Sequence, residues 1–152
     1  MTKTDEEVIT LKLNIDKFGD DCKCISIGKL SSKHIDLIIQ NRPDLADVLK
    51  NNNILMWSNR LEHIEKHRSN FQYGDFEKYI EDIPNIIKEP DYIGIPPHDL
   101  SIQFVKGYAD NVLVAVRIST DGKLSFRTMY PITDSQLEDY KRKNRIWEVG
   151  ND

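Results

Sequence analysis

Ile9, Leu11, Leu13 and Ile15 occupy every second position near the start of the chain, the period of a strand with one buried face. The polar run DKFGDD then predicts a turn and CKCISIG a second strand, so the first expected unit is a hairpin. Ser31 or Ser32 is placed to cap a helix carrying Ile35, Leu37, Ile38 and Ile39, and Pro43 to open a short helix through DLADVLK. Asn51-Asn52-Asn53 marks a loop and ILMWS a short apolar segment. With Ser58 as N-cap, a helix is expected from Asn59 to Asn70, with Trp57, Leu61, Ile64, Arg68 and Phe71 on one side. DFEKYIEDI predicts another helix burying Phe76, Tyr79, Ile80 and Ile83, which Pro84 bends or follows with a new turn.

From residue 92 the pattern changes to strands: YIGI, LSIQFVKGY, NVLVAVRI and GKLSFRTMY. Asp121-Gly122 predicts a two-residue type I′ turn. That turn sets Arg117 opposite Phe126, Val116 opposite Arg127 and Ala115 opposite Thr128. It gathers Arg117, Phe126, Thr128 and Tyr130 on one face and puts Arg127 on the other. Thr133-x-x-Gln136 is a capping box for a last helix, QLEDYKRKN. Helices first and an antiparallel meander last make the class α+β.

A chain of 152 residues fits one domain, 1–152, with a core large enough to do without metal or disulfide staples. The expected divisions are a hairpin and helices at 1–53, a core at 54–131, and a helix and tail at 132–152. No apolar run approaches the roughly 20 residues of a membrane span, and MTKTDEEVIT has no signal-peptide core. Cys22 and Cys24 are too close to bond to each other across one strand, and read as reduced packing residues suited to the cytoplasm. The net charge of −4 is unlike a nucleic-acid binder's. Over 101–130, however, Lys106, Arg117, Lys123 and Arg127 outnumber Asp110 and Asp121.

The candidate chemistry centres on H-I-E-K-H, residues 63–67. His63 and His67 stand four apart on one side of the expected helix and form a polar band with Arg60 beside the apolar stripe. A zinc-protease motif needs Glu directly after the first His, but Ile64 stands there and no third ligand is evident, so neither a metal nor a cofactor is expected. The sheet offers Lys106, Arg117, Arg127, Thr128 and Tyr130. Metal-free RNA cleavage needs such a set: one group to take the 2′-hydroxyl proton, one to protonate the leaving 5′-oxygen, and cations or donors to hold charge on phosphorus. Histidine serves as acid or base near neutrality, and arginine binds phosphate through paired N–H groups. The same residues also fit a bland reading, with edge histidines bonded to a strand and basic residues solvated on it. Spacing alone leaves both open.

The runs L-E-H-I-E-K-H, Y-I-E-D-I-P-N-I-I-K-E-P-D-Y, F-V-K-G-Y, V-L-V-A-V-R-I and G-K-L-S-F-R-T-M-Y-P, in this order, resemble the PBECR domains of the barnase–EndoU–colicin–RelE superfamily. The resemblance covers residues 54–131. It implies N-terminal helices packed on a four-stranded antiparallel sheet with a cleft for RNA. It also implies metal-independent endoribonuclease activity in phage polyvalent proteins or delivered toxins, held in check by a cognate immunity protein. By matching motifs, His63, His67, Lys106, Arg127, Thr128 and Tyr130 become the catalytic candidates; Arg60 beside the histidines and Arg117 on the sheet are read as substrate-binding residues. The expected substrate is RNA, tRNA among the candidates, in the cytoplasm of the producing or target cell. The acidic charge favours a rival, a non-catalytic binding or inhibitor module of the same fold that engages a basic partner.

Overall fold

The computed structural model describes residues 24–150, built around one sheet with helices on both faces. Its seven strands are β1 (Cys24–Lys29), β2 (Asn53–Trp57), β3 (Tyr92–Gly94), β4 (Ser101–Gly107), β5 (Asn111–Ile118), β6 (Leu124–Ile132) and β7 (Ile146–Glu148). Across the sheet they lie in the order β1-β2-β6-β5-β4-β3-β7. Every neighbouring pair is antiparallel except β2 and β6. The expected four-stranded sheet is therefore only the central part. It is widened by β1 and β2 on one side and by β7, a three-residue strand the hydrophobic pattern did not signal, on the other. The first strand of the expected hairpin, with Ile9 to Ile15, lies outside the described residues. Its expected partner strand is β1, which pairs with β2.

Helices α1 (Ser32–Asn41), α2 (Asn59–Glu65), α3 (Phe76–Glu81), α4 (Ile83–Lys88) and α5 (Asp134–Arg142) complete the described residues. Ser31 caps α1 by accepting from the His34 N–H, and the Thr133–Gln136 capping box of α5 forms in both directions. The segment after Pro43 makes only a 3-10 turn, Pro43–Leu45. Alternation decides the two faces of the sheet. Ile102, Phe104, Val114, Val116, Phe126 and Met129 face one way and pack with Ile35 and Ile38 of α1, Phe76, Tyr79 and Ile80 of α3, and Ile83, Ile86 and Ile87 of α4. Burying these side chains, at about 1.5–3 kcal/mol each, is the main term holding the fold. On the other face Val105, Leu113, Ala115 and Ile132 pack against Leu137 and Tyr140 of α5. That helix leaves the rest of the face uncovered.

The β5–β6 connection differs from the expected two-residue turn. Gly122 N–H donates to Ser119 O, Ser119 N–H donates to Lys123 O, and Gly122 has φ +87°. This is a three-residue loop, a tight turn closed by a left-handed glycine. The extra residue shifts the register by one: Arg117 faces Ser125 and Val116 faces Phe126. A bulge next to Ala115 then leaves Arg127 unmatched and restores Ala115 opposite Thr128. The bulge also re-aims side chains. Phe126 turns into the helix-side core, whereas Arg127 joins Thr128 on the uncovered face.

Candidate active site

The helix α2 makes one wall of the site. β2 runs beside β6 only at Ile54–Leu55, and past that point α2 takes over the edge. Arg60 seals the junction, its Nε–H donating to the Arg127 carbonyl at 3.0 Å. The α2 periodicity sends Ile64 and Leu61 into the core, while Arg60 and His63 turn toward the uncovered face. The helix stops at Glu65, five residues short of expectation, and Arg68–Asn70 forms a 3-10 turn. His67 stands at the join, its ring 6.2 Å from that of His63 and 5.9 Å from that of Tyr130.

The floor comes from rows across three strands. Gln103, Ala115 and Thr128 lie side by side, with Ser101, Arg117 and Ser125 in the next row and Val105, Leu113 and Tyr130 on the far side. The small Ala115 at the centre leaves a hollow. Wall and floor enclose a cleft of about 380 Å³, lined by Arg60, His63, His67, Arg127, Thr128 and Tyr130 together with Asp99, Ser101, Gln103 and Ala115. Six of the eight residues singled out from sequence thus meet in one place. Arg117 lines an adjoining hollow, which shares Arg60, His63 and Arg127 with the cleft. Lys106 is not brought in. Period-two alternation puts it on the helix side of the sheet with Phe104, and its Nζ donates to the Glu89 carbonyl at 2.6 Å.

Asp99, Ser101 and Gln103 were missed from the sequence, although the signal was there. They alternate with the apolar Leu100, Ile102 and Phe104, so one face of β4 is polar where the chain crosses the centre of the sheet. Asp99 pairs with Arg127, whose Nη1 lies 3.1 Å from the carboxylate. Gln103 is 5% exposed, yet its Oε1 accepts no hydrogen bond, and the buried Thr128 Oγ1 has no partner either. Buried polar atoms are nearly always paired, so two orphans on a cleft floor mark positions where a ligand's groups would bond.

Electrostatics set the protonation states. Partial burial, then the positive charges of Arg60, Lys66, His67 and Arg127, hold the His63 pKa below its ordinary value. Burial, then Lys66, lowers that of His67. Tyr130 is pushed up, first by burial, and keeps its proton at neutral pH. The site therefore combines two imidazoles held below their ordinary pKa, the guanidiniums of Arg60 and Arg127, and the hydroxyls of Thr128 and Tyr130. Among the described residues no group of three or more His, Cys, Asp and Glu is gathered where a metal ion could sit, and no helix is long and apolar enough to cross a membrane.

Compared with known proteins, residues 38–139 match the model of PBECR3, the phage-Barnase-EndoU-ColicinE5/D-RelE like nuclease3 family. The chain belongs to this family. The PBECR3 match is wider than the 54–131 stretch that carried the resemblance and takes in part of α1, all of α2 and every wall of the cleft. No curated protein and no solved structure matches the chain. The family is nuclease-like, and the cleft is lined by two histidines and two arginines.

Proposed function

We propose that this PBECR3 domain is a metal-independent endoribonuclease, which cleaves RNA by attack of a 2′-hydroxyl on the adjacent phosphorus to leave a 2′,3′-cyclic phosphate. His63, its pKa held down by partial burial and then by its cationic neighbours, takes the proton from the 2′-hydroxyl as the new O–P bond forms. His67, once protonated, gives its proton to the 5′-oxygen as the old P–O bond breaks. Arg127 and the hydroxyls of Thr128 and Tyr130 hold the negative charge that builds on the phosphoryl oxygens. Arg60 fixes the bulge that aims Arg127, and Arg117 attracts the neighbouring phosphate. Lys106 has no part in this scheme.

The observation that carries the reading is the pair of unmet hydrogen-bonding atoms on the floor of the cleft that the histidines line. Thr128 Oγ1 can donate to a phosphoryl oxygen, while Gln103 Oε1 can only accept, as from the 2′-hydroxyl of a neighbouring ribose. A floor offering both suits ribose better than deoxyribose. The deciding experiment is incubation of purified protein with total tRNA in EDTA, beside His63→Ala and His67→Ala. Cleavage by the parent, reduced about 10²- to 10⁴-fold in each variant, is expected. Equal rates in parent and variants would refute the assigned roles. The net charge of −4 favours a second reading, a binding or inhibitory module that engages a basic protein. No cleavage of any RNA, together with harmless expression in cells, would select it. On the first reading expression is toxic unless a cognate immunity protein accompanies the chain in the cytoplasm where it acts.

A further inference from the structure

Two large apolar side chains among the described residues are markedly exposed, Trp57 at 48% and Tyr73 at 76%. Single exposed aromatics are common and need no purpose. Their position is what matters here. Trp57 lines the hollow of about 480 Å³ that shares Arg60, His63 and Arg127 with the catalytic cleft. Tyr73 lines a second hollow, of about 560 Å³, that shares His67 and Tyr130 with the same cleft from its other end. The three hollows therefore form one trough along α2, with the histidines in the middle and an exposed aromatic at each end.

Both aromatics are held by rigid backbone. Trp57 ends β2, paired to Cys24 of β1. Tyr73 belongs to a loop pinned from beneath by the buried carboxylate of Asp110. That carboxylate accepts from the N–H groups of Gln72 at 3.0 Å, Tyr73 at 3.3 Å and Gly74 at 2.8 Å, and from the Tyr79 hydroxyl at 2.9 Å. A loop fixed at its backbone while its aromatic ring stays in solvent has lost its ordering entropy in advance, as a preformed binding platform should.

We propose that Trp57 and Tyr73 are base-stacking platforms at the two ends of a track for single-stranded RNA, the scissile phosphate lying between them. This rests on the ribonuclease reading and adds the form of the substrate. The seven residues of α2 alone span about 10 Å, the length of about three nucleotides at a stacked rise of about 3.4 Å, and both aromatics lie outside it in sequence. Stacked bases at both ends demand unpaired nucleotides, so loops and unstructured segments are the substrates and duplex RNA is not. Aromatic faces accept any base, so the platforms add affinity with little sequence preference.

The test compares a fluorescein-labelled hexanucleotide of deoxyribose, which binds without being cut, with cleavage of an RNA dinucleotide and an RNA hexanucleotide. Trp57→Ala and Tyr73→Ala should each weaken hexanucleotide binding, read by anisotropy, about 5- to 100-fold. They should lower kcat/KM for the RNA hexanucleotide to match and leave dinucleotide cleavage unchanged. Trp57→Phe and Tyr73→Phe, which keep a ring, should restore most of the affinity. In the parent, bound hexanucleotide should quench the emission of Trp57, whereas Trp147 is buried. A parent that cuts RNA while both alanine variants bind the hexanucleotide as well as it does would overturn the track and spare the ribonuclease reading. The same holds if the dinucleotide and hexanucleotide suffer equally. A parent that neither binds nor cuts single strands would overturn both.

Discussion

At the scale of single residues, the burial of the histidines and the charges around them set how the rate should vary with pH. On the proposed mechanism His63 acts as base only when neutral, so kcat/KM should rise as the pH passes upward through its pKa. His67 acts as acid only when protonated, so kcat/KM falls above its own. Both values lie below the ordinary 6.5, which puts the optimum of kcat/KM for the free protein on the acid side of neutrality. A bound phosphate offsets the cationic neighbours and raises both pKa values, so the kcat optimum should sit at higher pH. His63→Ala should flatten the acid limb and His67→Ala the alkaline one; the opposite pattern would exchange their roles. His34 titrates for another reason. It is buried beside Phe104, and burial, aided by Lys33, lowers its pKa to about 4. The folded state then binds fewer protons than the unfolded one between pH 6.5 and about 4. This contribution to stability is complete above pH 6.5 and is lost as the pH falls through that window. Urea midpoints at pH 7.5 and pH 5 should differ less in His34→Leu than in the parent. An equal difference would show that His34 is not a source of the acid sensitivity.

At the scale of elements, the floor depends on one small side chain in a row of three strands. Ala115→Leu should fill the hollow between Gln103 and Thr128 and lower kcat/KM at least about tenfold, while the unfolding midpoint moves little because the added carbons enter open space. A variant as active as the parent would show that substrate does not reach the floor. The loop beneath Tyr73 makes the contrasting prediction. Asp110→Ala strands three backbone N–H groups and the Tyr79 hydroxyl, and should cost about 2–4 kcal/mol in denaturant unfolding. Tyr79→Phe, which removes one of those donors, should cost about 1 kcal/mol. The elements themselves were largely legible. Alternation announced β4, β5 and β6, the Thr133–Gln136 box announced α5, and Ser31 announced α1, because each is encoded within a few residues. The i, i+4 histidines were legible too, although the helix carrying them ends before His67. Beyond reach were features set by long-range partners. The parallel β2–β6 pairing, the short β7 and the early stop of α2 all depend on what stands next to them in space. At Gly94 a Cβ would lie 2.0 Å from the Arg145 carbonyl, a closeness of β3 to β7 that no local pattern predicts. The bulge at Arg127 shows the limit best. Two shifts, one in the turn and one in the strand, cancel at Thr128 and bring Arg127 to the cleft face, whereas counting by twos from the turn sends it to the other.

At the scale of the whole molecule, the ribonuclease proposal asks a chain of net charge −4 to hold a polyanion. Long-range attraction is therefore weak, and binding relies on a few cations placed along the trough. Arg60, Arg117 and Arg127 are the ones that line it near Trp57. The basic residues of α5 do not add to them: Lys141 pairs with Glu138, and Arg142 and Lys143 with Asp139, so their charge is largely offset where it stands. A single strand releases counterions at about 0.7 per phosphate neutralised. Three arginines then predict that log K for a short single strand falls with log salt at a slope of about −2, shallow for a nucleic-acid binder. Arg117→Ala should reduce the slope by about 0.7 and Arg142→Ala should leave it unchanged. Arg127 carries a competitor in Asp99, which a phosphate must displace or share. Asp99→Asn should therefore tighten binding. A parent slope of about −5 or steeper would place the polyanion on a broader surface than this trough. An Asp99→Asn variant that binds more weakly would make the carboxylate an orienting partner of Arg127 rather than a rival for it.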